Sequence, residues 1–97
     1  SRLAWPILSR NADGFVVCGD PVAIEGMRRL AEPEPGDPAL VSGESGAVTA
    51  GLVFELLGSP ALQKTARQMG LGRDSRILIL STEGDTDPEL YRRMVEK

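Results

Sequence analysis

Two short polar turns hold the residues best suited to chemistry. The first is Ser42-Gly43-Glu44-Ser45-Gly46-Ala47 and the second is Ser81-Thr82-Glu83-Gly84-Asp85-Thr86-Asp87. Each follows an apolar run and precedes a helix-like stretch. In open α/β sheets, ligands bind beyond the carboxyl ends of parallel strands. Hydroxyls and glycines at two such ends would make two walls of one ligand site. There, backbone N–H groups at a helix start and side-chain hydroxyls would face a planar or anionic group.

Both turns imitate better-known sites and lack what those sites need. Gly43-Glu44-Ser45-Gly46 resembles the opening of a phosphate-binding P-loop, but the chain continues Ala47-Val48-Thr49 and the phosphate-pairing lysine is missing. As a nucleophile elbow, G-x-S-x-G, it ends on Ala47 and has no histidine to activate Ser45. Its plainer role is a helix start in which Ser42 or Ser45 caps free N–H groups. Glu83, Asp85 and Asp87 suggest a Ca²⁺ loop, yet Pro88 stands where that loop needs glycine. Asp87 reads better as a helix cap. The chain has no histidine and one cysteine, Cys18, which excludes Ser-His-Asp and Cys-His catalysis and the ordinary zinc sites. Lys64, between Gln63 and Thr65, falls on a solvated helix face.

The elements that must carry these turns follow from periodicity and punctuation. Residues 3–10 are an apolar segment around Pro6, expected as a helix end or an irregular stretch. Phe15-Val16-Val17-Cys18 reads as a buried strand. Asp20 is the expected N-cap of the next helix, with Pro21 at its first position. Ala23, Gly26, Met27 and Leu30 then form one buried stripe. Residues 32–38 hold three prolines and read as a linker. Residues 39–41 form a short extended stretch. Residues 46–57 are apolar nearly all round, which predicts a buried helix. Gly58 ends it, Ser59 and Pro60 start another, and Gly70 closes that one. Residues 76–80 (Arg-Ile-Leu-Ile-Leu) read as a central strand, and Asp87-Pro88 opens a last helix. This order predicts an α/β fold with a partial parallel sheet of about three strands and flanking helices.

Composition narrows the function classes. The 97 residues suit one small domain, 41% of them hydrophobic and 26% charged. A net charge of −3 offers no basic footprint for nucleic acid. No apolar run approaches the roughly 20 residues needed to span a bilayer. A lone cysteine fits a reducing compartment, so a cytoplasmic location is expected. A start at Ser1 instead of methionine is expected of a processed, truncated or excised piece.

Taken together, Gly36-Asp37-Pro38, Val41-Ser42-Gly43-Glu44-Ser45-Gly46-Ala47-Val48 and the run Ser81 to Asp87 resemble the carboxyl-terminal part of the diaminopropionate ammonia-lyases. These are pyridoxal-phosphate (PLP) enzymes of fold type II, the tryptophan synthase β-chain class. Val17-Cys18-Gly19-Asp20 and residues 23–28 resemble the segment preceding those motifs. Ser81, Gly84, Asp85 and Asp87 also match the tryptophan synthase β pattern Ser-Gly-x-Gly-Asp-x-Asp. The resemblance implies that residues 1–97 are a single carboxyl-terminal segment of a larger PLP-binding domain, with 32–38 as a linker inside it. It implies that Ser81, or the adjacent Thr82, meets the pyridine nitrogen of PLP, with Gly43, Glu44 and Ser45 as the neighbouring wall. It further implies a parent that converts 2,3-diaminopropionate, a small amino-acid substrate, to pyruvate and ammonia. The Schiff-base lysine and phosphate loop of such enzymes match nothing in this chain, so no catalytic residue is assigned and the segment alone is expected to be inactive. Its exposed apolar surface predicts self-association or a homo-oligomer, with no membrane or nucleic-acid partner. The alternative is a free-standing, non-catalytic α/β module that binds a ligand or a partner.

Overall fold

The computed structural model describes residues 2–96. They form α1 (Ala4–Asn11), α2 (Asp20–Ala31), α3 (Glu44–Gly58), a 3₁₀ turn (Pro60–Leu62) running into α4 (Gln63–Gln68), and α5 (Pro88–Glu96). The expected partial parallel sheet is absent: the described residues contain helices and no strand. Residues 15–18, 39–41 and 76–80 do not pair with one another. Most of their side chains are exposed instead, Val17 to 99% and Leu78 to 87%, with Cys18 and Ile79 half-buried. Apolar, β-branched composition marks a run that suits a pleated surface. A strand exists only where a neighbour supplies the ladder, and these runs have none among the described residues.

The core lies between α2 and α3. Ala23, Gly26 and Met27 of α2 are buried, as are Gly46, Ala47, Ala50 and Gly51 of α3. The helices cross backbone to backbone. A Cβ on Gly26 would strike the Ala47 carbonyl oxygen, and one on Gly51 would strike the Val22 carbonyl oxygen. The distance between packed helices is set by the side chains at the contact, and here glycine brings it to a minimum. Residues 46–57 form a helix as expected, but burial is partial. Leu56 is buried, whereas Phe54 and Leu57 remain close to half exposed. The Arg29 guanidinium lies 4.5 Å from the centre of the Phe54 ring, a cation–π contact across the helix pair.

Local signals set most helix ends. Gly19 is the N-cap of α2, and Asp20 is its first helical residue instead of its cap. There the carboxylate faces the positive end of the helix dipole. Gly70 closes α4 at φ +77°, and Leu71 N–H donates to the Ala66 carbonyl at 2.9 Å. That backbone region suits glycine. The 3–10 segment is helical, closed by Asn11 Nδ2 donating to the Ile7 carbonyl at 2.8 Å. Trp5 and Phe15 hold the following loop against it, with ring centres 6.0 Å apart. From α2, Arg28 Nε donates to the Met94 carbonyl at 2.9 Å. A cation thereby meets the carboxyl end of α5, where the dipole favours it. No single helix among the described residues is long and apolar enough to cross a membrane; α3 and the 60–68 stretch together reach that length but bend by 92°.

The crossing predicts a sharp contrast among glycines. Gly26→Ala or Gly51→Ala is expected to lower unfolding free energy by about 1–3 kcal/mol or more, since backbone must move. Gly58→Ala, with open space at its Cβ position, is expected to stay within about 1 kcal/mol of the parent. Urea midpoints of the three variants check this.

Candidate functional site

The two polar turns meet at the amino terminus of α3, and Glu83 is their joint. Gly43 N–H donates to the Glu83 carbonyl at 3.0 Å, and Ser45 N–H donates to Glu83 Oε1 at 3.1 Å. The cap residue of α3 is Gly43, and neither Ser42 nor Ser45 makes a side-chain cap bond. The free N–H groups of a helix start need acceptors, and a carboxylate is favoured there by the dipole. Glu83 supplies one from 38 residues away. It occupies the end of α3 that sequence reasoning assigned to a serine cap or a ligand.

The glycines of the first turn make room for the second. A Cβ on Gly43 would lie 2.6 Å from both Glu83 Oε1 and the Gly84 carbonyl oxygen. A Cβ on Gly46 would lie 2.7 Å from Ser81 Oγ. Into the space above Gly46 fits a hydroxyl pair, Ser42 Oγ and Ser81 Oγ, 2.6 Å apart. Ser42 is 1% exposed, while Ser81 is exposed. The pair therefore has one inner and one outer hydroxyl.

The other expected site residues are placed as follows. Thr82 is exposed and its side chain makes no hydrogen bond among the described residues. Ser45 is exposed and engaged through its backbone N–H. Glu44 is half-buried and lines a small open cleft of about 60 Å³ with Glu83, Asp85, Asp87 and Tyr91. Asp87 caps α5 as expected, its Oδ1 accepting from Leu90 N–H at 3.1 Å. Burial, and then the nearby Asp85 carboxylate, raise the Tyr91 phenol above its ordinary pKa of 10.0. Among the described residues no group of three His, Cys, Asp or Glu side chains is arranged to hold a metal. Lys64 lies exposed on α4, and Lys97 falls outside the described residues. Sequence reasoning missed the working roles of Ser42 and Glu83. Their partners lie 38 and 39 residues away, and no local spacing rule reaches that far.

No family model matches the chain. Known proteins nevertheless share both its sequence and its fold. The diaminopropionate ammonia-lyase of Salmonella typhimurium is 40% identical over 94 residues, and that of Escherichia coli K12 is 43% identical over 93. Each match covers 96% of this chain. A crystal structure of the E. coli enzyme in complex with D-serine superposes with a TM-score of 0.89 at 43% identity, covering 96% of this chain and 24% of that one. Another, in complex with an aminoacrylate–PLP azomethine reaction intermediate, gives 0.86 at 44% identity, again covering 96% and 24%. The chain thus has the fold of part of an ammonia-lyase. More narrowly, it is homologous to diaminopropionate ammonia-lyase, and it spans 23% of the length of the curated relatives it matches.

Two outcomes follow from the site. Glu83→Ala removes the acceptor at the start of α3 and is expected to cost about 0.5–2 kcal/mol, read from thermal unfolding, with Glu83→Gln costing less. The folded state holds the Tyr91 proton more tightly than the unfolded state. Its contribution to stability is therefore present below the unfolded pKa and is lost as pH rises through the raised value. Tyr91 is the only tyrosine, so the tyrosinate absorbance of the folded chain is expected to rise above pH 10.0. Asp85→Asn is expected to lower that midpoint without abolishing the shift, because burial is the larger cause.

Proposed function

We propose that this chain is the carboxyl-terminal segment of a PLP-dependent diaminopropionate ammonia-lyase and forms one edge of its cofactor site. The whole protein would convert 2,3-diaminopropionate to pyruvate and ammonia by α,β-elimination. The observation that carries this reading is the Ser42–Ser81 pair at 2.6 Å, with its outer hydroxyl exposed beside Gly46. Identity of 40–43% across 96% of the chain supports it.

The residues present fit the pyridine edge of PLP. Ser81 offers a held, outward hydroxyl, and a hydroxyl can hydrogen-bond a ring nitrogen. Thr82 has no comparable hold, which favours Ser81 of the two. Gly43 and Ser45 back that edge through Glu83, and Glu44 stands beside it on the acidic side. The same residues do not fit the phosphate. Glu83 already occupies the amino terminus of α3, and Glu44, Asp85 and Asp87 line the cleft beside it, so an anion there would meet like charge. PLP, when bound, supplies the electron sink for the substrate's α-carbon. A serine, unlike a carboxylate, does not hold the ring nitrogen protonated. Ser81 thus tempers that sink, which favours elimination over transamination.

The apolar side chains left in the open, Val17, Leu78 and Leu80 among them, support cover by further polypeptide of the lyase fold. Large apolar side chains left this exposed suit a surface that another segment covers. The isolated chain is accordingly expected to self-associate in sedimentation.

The test is product analysis of the full-length protein carrying this sequence. Two ammonia for each pyruvate released from 2,3-diaminopropionate, with one water consumed, are expected. Turnover of serine or threonine alone would assign a related lyase instead. The 97-residue chain mixed with PLP is expected to give no turnover and no specific borohydride-fixed cofactor at Lys64. Strong fixation there would overturn the reading that the reactive lysine lies elsewhere.

A further inference from the structure

Ser42 has no assigned role, yet it is the most buried hydroxyl of the site. Its Oγ has one hydrogen-bond partner among the described residues, Ser81 Oγ at 2.6 Å. A hydroxyl carries one donor hydrogen and two acceptor positions. Within this pair either oxygen can donate, and the two choices differ in cost. If Ser81 donated inward, the Ser42 hydrogen would be buried with nothing to receive it. An unused buried donor costs the desolvation of that group. If Ser42 donates, its hydrogen is satisfied and Ser81, which is exposed, keeps its own hydrogen for the outside. Gly46 leaves the room that the pair fills, because a Cβ there would lie 2.5 Å from Ser42 Oγ and 2.7 Å from Ser81 Oγ.

We propose that Ser42 is a positioning residue: by donating to Ser81 it turns the Ser81 hydrogen outward, so that Ser81 acts as a donor to an unprotonated ring nitrogen. This rests on the reading of Ser81 as the pyridine-nitrogen partner of PLP. Ser42 touches neither cofactor nor substrate. It sets which way a hydrogen bond runs, and so the protonation state of ring nitrogen that the site prefers. It also explains why a serine, and not an apolar residue of similar size, occupies a 1%-exposed position.

The test uses the full-length protein loaded with PLP carrying ¹⁵N at the pyridine nitrogen. In the parent, the nitrogen resonance is expected in the range of an unprotonated nitrogen that accepts a hydrogen bond. Ser42→Ala is expected to move it toward the position found in Ser81→Ala, although Ser81 is intact. The double variant is expected to move it no farther than Ser81→Ala does. PLP binding is expected to weaken by about 3- to 10-fold in each single variant, the range of one lost hydrogen bond. Ser42→Thr, which keeps the hydroxyl, is expected to retain the parent resonance. A resonance unchanged in Ser42→Ala but moved in Ser81→Ala would overturn the role of Ser42 and leave that of Ser81. A resonance unchanged in Ser81→Ala would overturn the pyridine reading itself. Should Ser42→Ala not fold, Ser42→Cys, a weak donor of similar shape, is read by the same two outcomes.

Discussion

The backbone-to-backbone crossing of α2 and α3 is the constraint on which the rest of this structure depends. At Gly26 and Gly51 backbone meets backbone, so the contact has almost no freedom to slide. Packed interiors transmit such constraints because they hold little spare volume. The crossing fixes the direction of α3, and with it the place where its amino terminus emerges. It also places Arg28 of α2 against the carboxyl end of α5. The polar segment from Ser81 to Glu96 is thus tied at one end to α3 and at the other to α2.

Glu83 converts that geometry into a site. A helix amino terminus normally invites an external anion, and here an internal carboxylate already answers it. The ligand-facing group is consequently the Ser81 hydroxyl and not the N–H groups of α3. Glu44, Asp85 and Asp87 add negative charge next to Glu83. They make this a poor phosphate cradle and leave the hydroxyl edge as the useful one. The glycines of the first turn look like a ligand loop in the sequence; in the fold, the second turn consumes their free space.

Much of the helical framework was legible from local chemistry. Asp87 before Pro88 and Gly70 mark ends at which the chain obeys capping rules, since a cap needs only its near neighbours. Asp20 was misread by one position because Gly19 can cap as well. The apolar runs at 15–18 and 76–80 were legible as β-suited and yet form no strand. Pairing is a property of two segments, and composition describes only one. The all-apolar helix was equally ambiguous: its small residues are buried at the crossing with α2, while Phe54, beneath the Arg29 guanidinium, and Leu57 stay close to half exposed.

By itself, the sequence determined where most of the helices lie, the absence of histidine and of a P-loop lysine, and the motif pattern that points to diaminopropionate ammonia-lyase. Each of these is written in residues that lie close together or in residue counts alone. Only the tertiary structure decided that the chain is helical without a sheet, that Glu83 caps α3, and that Ser42 stands behind Ser81. Those facts depend on groups 38 and 39 residues apart being brought within hydrogen-bond distance. Two glycines in a helix crossing set that distance, and their meeting is visible only once the chain is folded.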